Sequence, residues 1–410
     1  MTQPGTTGSA RPAAETGPPA VPPAAAGDGR TEGRARPRLN RLDSLTGLRF
    51  PAALLVFFSH VGLPIPQLRL LEDDAFAMDL LKVTEHAGAV GVAFFFVLSG
   101  FVLTWSAREK DTAPAFWRRR FVKIYPNYVV TWALALVVFA GAFTPAGTAT
   151  ANLFMVHVWV PDFDLLYSVN PPSWSLGCEL VFYACFPLLH RLFLRIRPDR
   201  LLYWIAGTAV AIMATPLVSY ALLPDGPGLQ LTAEPSGVSA EQYWFSYFLP
   251  PVRLLDFALG ILVALAVRHG RWWNIGIVSS SVLLAVGYVL SSQVPLLYGQ
   301  RSLTIVPIMF LIAAAATADV RGRSSVLRSR TMVWLGEISF AFYLVHFVVL
   351  AGGRKLLGDT LYSTGETAGL VGALLAVSVL ASWALYALVE RPITRRWSTS
   401  RRRRASLAAD

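Results

Sequence analysis

The chain has 410 residues, of which 54% are hydrophobic and 15% charged, whereas an ordinary soluble domain is roughly a quarter charged. Its formal net charge is +11, but no basic face alternates with aromatics on a soluble unit, which argues against nucleic-acid binding. The composition points to an all-α, polytopic membrane protein built from apolar spans of about 20 residues.

Residues 1–41 are rich in Pro, Ala, Gly and Thr with scattered Arg and contain no signal-peptide core, so they are expected to form a disordered cytoplasmic tail. Residues 42–397 form the expected transmembrane domain, with about ten spans near 46–63, 87–106, 124–143, 175–194, 201–222, 247–267, 273–291, 303–319, 332–351 and 367–389. Residues 398–410, opening near Arg401–Arg404, are expected to be a basic cytoplasmic tail at the lipid headgroups.

Alternate loops are basic, as around Arg118–Lys123, Arg191–Arg200 and Arg321–Arg330, while residues 144–174 and 222–246 contain no Lys or Arg. The positive-inside rule then places both termini in the cytoplasm and the chain in a cell membrane as a multi-pass protein. Arg354 and Lys355, after the ninth span, are the exception. Cys178 and Cys185 are seven residues apart on one helix, about 10 Å, too far for a disulfide. No metal-ligand spacing, nucleophile elbow or glycine-rich phosphate loop appears, so no metal is expected.

The first span, TGLRFPAALLVFFSH (46–60), carries two ionisable groups. Arg49 lies near its cytoplasmic end and His60 about 16 Å further out, three turns on and on the same side. Ionisable groups in a span usually line a cavity or pair with each other. Taken alone, Arg49 also reads as an interfacial anchor and His60 as an interhelical hydrogen bond. The fourth span sets Ser175, Glu179 and Tyr183 on one stripe, and the ninth does the same with Ser339, Tyr343 and His346. Glu337 and Glu390 are expected in helix-packing ion pairs, with Arg391 partnering one of them. His86, His157, His190 and His269 receive no role.

Six segments in order resemble the acyltransferase-3 family of integral-membrane acyltransferases, over about residues 42–397. They are the Arg49-x10-His60 span, GAVGVAFFFVLSGFVLTW (88–105), RRRFVKIYP (118–126), WSLGCELVFYACFPLL (174–189), GEISFAFYLVHF (336–347) and ERP (390–392). The chain departs from the family at Arg120-x-x-Lys123, where the pair is often two arginines, and at Ala93, where many members have a polar residue. It also ends before the soluble hydrolase-like domain of some relatives, and so resembles the bacterial stand-alone type.

The resemblance implies transfer of an acetyl or other short acyl group from acyl-CoA, a co-substrate, to a hydroxyl of a carbohydrate or glycoside. That acceptor is a surface polysaccharide or a sugar-bearing secondary metabolite such as a macrolide. His60 is the expected general base, with His346 its rival, because imidazole suits proton removal from an alcohol. Glu179 is expected to orient His60 or to bind acceptor hydroxyls. Arg49, Arg120 and Lys123 are expected to hold the donor phosphates, although 118–123 also reads as a plain positive-inside loop. Trp174 reads as an interfacial belt residue or a sugar-stacking ring; Ser175, Tyr183, Tyr343 and His346 are expected to support or bind the acceptor. A multi-span transporter is the alternative to an enzyme.

Overall fold

The computed structural model describes Met1 and residues 42–108, 111–229 and 237–397. The tails expected at 1–41 and 398–410, Met1 apart, lie outside the described residues. Ten long helices follow the predicted order: α1 (Asp43–Val61), α2 (Ala87–Trp105), α3 (Ala113–Ala135), α4 (Trp174–Phe193), α5 (Leu201–Leu222), α6 (Pro250–Arg268), α7 (Ile277–Ser291), α8 (Ile305–Val320), α9 (Arg330–Leu357) and α10 (Thr364–Leu385). Among the described residues, extended pairing is limited to two isolated bridges, Leu71 with Tyr362 and Gly228 with Ser239.

Nine helical segments among the described residues are long and apolar enough to cross a membrane. The shorter one is α7, 15 residues and about 22 Å long; it starts at Ile277, after Gly276 at φ 84°, rather than at the expected 273. The third span also differs from expectation. Its helix starts at Ala113 instead of 124, with Pro114 in its first turn, where a missing N–H costs nothing. The basic run 118–123 is therefore helical and carried on the bundle.

The core is centred on α2 and α6. A methyl group on Gly100 would collide with the Phe257 carbonyl, and one on Gly260 with the Val97 carbonyl. These two backbones approach so closely only because both positions lack a side chain. Around this centre α3, α4, α5 and α10 turn large apolar residues outward, among them Leu134, Leu188, Leu217 and Leu380. In water such a surface would be a liability; against lipid it is expected.

Residues 146–173 fold inward between α3 and α4 through short helices. Asn152, His157, Asn170 and Ser173 are fully buried there. The Asn170 amide donates to the Leu344 carbonyl of α9 at 2.9 Å. The Tyr128 hydroxyl donates to Asn152 Oδ1 at 2.7 Å, and the Asn152 amide donates to the Ser168 carbonyl at 3.0 Å. This polar lining lets the chain enter α4 from inside the bundle, not from its surface.

Candidate active site

The crossing of α1 and α9 builds the first half of the site. Gly336 of α9 packs against the Thr46 backbone of α1, where any side chain would collide. Further along, the Phe342 ring meets Phe50 at 5.4 Å and Phe57 at 5.9 Å. The crossing then sets His60 beside His346, with Nδ1 of His60 at 3.1 Å from Nε2 of His346. His346 Nδ1 lies 3.1 Å from the Phe342 carbonyl, and His60 Nδ1 lies 2.9 Å from the Val56 carbonyl.

These contacts assign the protons. A carbonyl only accepts, so His346 carries its hydrogen on Nδ1 and its Nε2 is bare in the neutral ring. His60 must then donate from Nδ1, shared between Val56 and His346. That leaves His60 Nε2 with a free lone pair. His346 is fully buried, whereas His60 is partly exposed, so His60 is the member open to another molecule.

The second half is a cavity of about 320 Å³ lined by polar groups from four helices. Arg49 comes from α1, Ser99 from α2, Arg120 and Lys123 from α3, and Glu179 and Tyr183 from α4. Arg49 has no hydrogen-bond or ion-pair partner among the described residues, and Arg120 Nε is buried without an acceptor. Lys123 Nζ lies 3.5 Å from a Glu390 carboxylate oxygen. Tyr183 donates to Glu179 at 3.1 Å and accepts from Ser99 at 3.4 Å.

A smaller cavity of about 50 Å³ shares Arg49, Phe95, Glu179 and Phe340 with the first and continues to Ser175 and Tyr343. Those two hydroxyls lie 2.8 Å apart, and both donate towards the Pro172 carbonyl, at 3.0 and 3.1 Å. The Tyr343 ring is 6.0 Å from that of His346. The smaller space thus extends from the cations towards the histidine pair.

Residues 42–387 match the family described as an acyltransferase domain. The chain belongs to the acyltransferase-3 family. It is 42% identical over 386 residues to the acyltransferase MdmB of Streptomyces mycarofaciens, covering 91% of this chain and 96% of that one. It is 26% identical over 348 residues to the exopolysaccharide production protein ExoZ of Rhizobium meliloti, covering 78% and 94% respectively. Its match to the peptidoglycan O-acetyltransferase OatA of Listeria monocytogenes is 24% identical over 297 residues, 64% of this chain but 45% of that one, so it spans less than half of that relative's length. No solved structure matches. This acyltransferase-3 member is a multi-pass membrane O-acyltransferase.

Several expectations need correction. The group on the His60 ring is His346; the hydrogen bond of Glu179 is to Tyr183, and its carboxylate lines the cation cavity. Trp174 is neither a belt residue nor free to stack on a sugar. It is 5% exposed and packs on Phe96, Tyr247 and Phe248, because α4 starts inside the bundle. The partners of Glu390 are Lys123 and Asn127, not Arg391. Arg354 and Lys355, the apparent topology exception, close the end of α9. Arg354 donates to the Gly358 and Thr360 carbonyls, and Lys355 donates to the Val138 carbonyl at 2.9 Å.

The acyltransferase also holds a charged cluster that the motif reading missed. Arg253, Asp256 and Arg301 are essentially buried, with Asp256 3.2 Å from Arg253 and 3.0 Å from Arg301. The Arg253 guanidinium lies over the Phe96 ring at 4.8 Å and the Tyr247 ring at 5.2 Å. The signal was present: three ionisable residues in apolar segments are costly unless paired.

Proposed function

We propose that this acyltransferase moves a short acyl group from acyl-CoA to a hydroxyl of a carbohydrate or glycoside, with His60 as general base. The observation that carries the reading is the pair of guanidiniums, Arg49 and Arg120, in the larger cavity without protein acceptors. Partly buried cations in that state favour a polyanion, and guanidinium forks suit phosphate oxygens. In this reading Arg49, Arg120 and Lys123 hold the donor phosphates. Glu179, one of whose carboxylate oxygens is held by Tyr183, offers the other as an acceptor to an amide N–H of the thioester arm, which runs into the smaller cavity past Ser175 and Tyr343.

At the histidine pair, the lone pair of His60 Nε2 takes the proton of the acceptor hydroxyl as its oxygen attacks the thioester carbonyl. The tetrahedral intermediate collapses by breaking the carbon–sulfur bond. The coenzyme A thiolate leaves and takes up the proton, and the acyl group stays on the acceptor oxygen as an ester. His346 receives the Nδ1 hydrogen bond of His60 and stabilises the imidazolium formed during the step. The peptidoglycan and exopolysaccharide named for two relatives support a carbohydrate acceptor. A surface polysaccharide and a sugar-bearing secondary metabolite both fit.

The test is mass spectrometry of glycosylated products from cells expressing wild type, His60→Ala or Arg49→Gln/Arg120→Gln. An acyl mass increment in wild type alone is the expected result, and it identifies both acyl group and acceptor. An undiminished increment with His60→Ala refutes the base, and one with the double arginine variant refutes the phosphate site.

A further inference from the structure

Glu390 sits behind the wall of the larger cavity, where the chain of α10 widens into a π-turn over Tyr386–Glu390 before continuing as Arg391–Trp397. Its side chain is 4% exposed. One carboxylate oxygen lies 3.5 Å from Lys123 Nζ, and the other accepts from the Asn127 amide at 2.7 Å. Both partners belong to α3, the helix that also supplies Arg120. The three cations of the cavity are therefore unequal: Lys123 has a carboxylate within ion-pair distance, whereas Arg49 and Arg120 have none among the described residues.

We propose that Glu390 sets the affinity of this cavity for the phosphates of the donor, a role that rests on the donor reading above. With the cavity empty, Glu390 neutralises Lys123 and offsets the repulsion among three cations gathered at one cavity. With it filled, the same carboxylate opposes the negative charge of the ligand through Lys123. The pair is loose enough for both states. At 3.5 Å it is longer than a charge-assisted hydrogen bond, and the Lys123 side chain remains 38% exposed. Opposing charge in the wall is useful in a transferase, because a site of three unopposed cations would retain coenzyme A after the acyl group has gone.

The experiment is equilibrium binding of coenzyme A and of pantetheine, which lacks the phosphates, to the full-length purified protein in detergent. Glu390→Gln keeps a side-chain oxygen for Asn127 while removing the charge. It should lower the Kd for coenzyme A about fivefold, the scale of a partly exposed ion pair, because Lys123 is no longer shared between Glu390 and the phosphates. Pantetheine binding should not change, and the gain should vanish when Lys123→Gln is added. If Glu390→Gln fails to accumulate, Glu390→Asp, which draws the carboxylate back by one methylene, should give a smaller gain of the same sign. An unchanged or raised Kd for coenzyme A, an equal gain for pantetheine, or a gain that survives Lys123→Gln overturns the role of Glu390 while leaving the donor site intact. No saturable coenzyme A binding to wild type or variant overturns both readings together.

Discussion

Replacing His346 with Phe separates a working histidine pair from a packing contact. The ring is fully buried between α1 and α9, so the slightly larger Phe keeps the space filled but removes the acceptor 3.1 Å from His60 Nδ1. His60 keeps the Val56 carbonyl at 2.9 Å, so its Nδ1 stays protonated and its Nε2 stays free. What is lost is the hydrogen bond that becomes charge-assisted when His60 takes the hydroxyl proton. Hydrogen bonds to charged groups contribute about 1.5–3 kcal/mol, and about 1.4 kcal/mol is tenfold in rate. His346→Phe should therefore lower kcat about ten- to a hundredfold with little change in KM. His60→Ala, which removes the base itself, should cost about a hundred- to ten-thousandfold. The assay is release of the coenzyme A thiol from acetyl-CoA in membranes holding their native glycosylated acceptors, normalised to folded enzyme. A loss for His346→Phe equal to that for His60→Ala would make His346 the base, and full activity would reduce the pair to packing.

Two further outcomes concern stability. Asp256→Asn removes the carboxylate shared by Arg253 and Arg301, leaving two buried guanidiniums, and should cost about 3–5 kcal/mol; an unchanged melting temperature in detergent would refute the role of the cluster. His157, outside the spans, is buried beside Ser173 Oγ at 3.4 Å, and burial lowers its pKa to about 4. A base with a depressed folded pKa is protonated first in the unfolded state, so its contribution is complete above the ordinary histidine value near 6.5 and is lost as pH falls towards 4. Wild type should therefore lose about 2 kcal/mol more than His157→Asn between pH 7.5 and 5; equal slopes in melts of the two proteins would refute this.

The spans were legible because hydropathy and the alternation of basic loops report directly on lipid and headgroups, and the ten helices follow that reading in order. Arg49 and His60 were legible for a related reason: an ion in an apolar helix needs an explanation, and eleven residues at helical pitch put both on one side. Tertiary partners were not legible. Periodicity places Glu179 on the polar stripe of α4 but does not say that the stripe faces Arg49, Arg120 and Lys123 instead of His60. That depends on the inward fold of 146–173, which starts α4 deep in the bundle and buries Trp174 with it. No pattern of period 3.6 encodes such a segment. It is specified by isolated polar residues such as Asn152, which bonds the Ser168 carbonyl within the segment, and Asn170, which bonds the Leu344 carbonyl of α9.

One helix, α1, carries a member of each half of the site, and this constrains how the halves communicate. Arg49 lines both cavities, and His60 lies about 16 Å further along the same helix. Gly336 and Phe342 of α9 fix the register of α1 at two points between its N-terminal end and the histidine pair. A slide of α1 by one residue would rotate its side chains by about 100°. Arg49 would leave the cavities and His60 would leave His346 together. A bulky residue at Gly336 should therefore impair donor binding and proton transfer at once, although it touches neither, because the spacing between the two depends on one helix–helix contact.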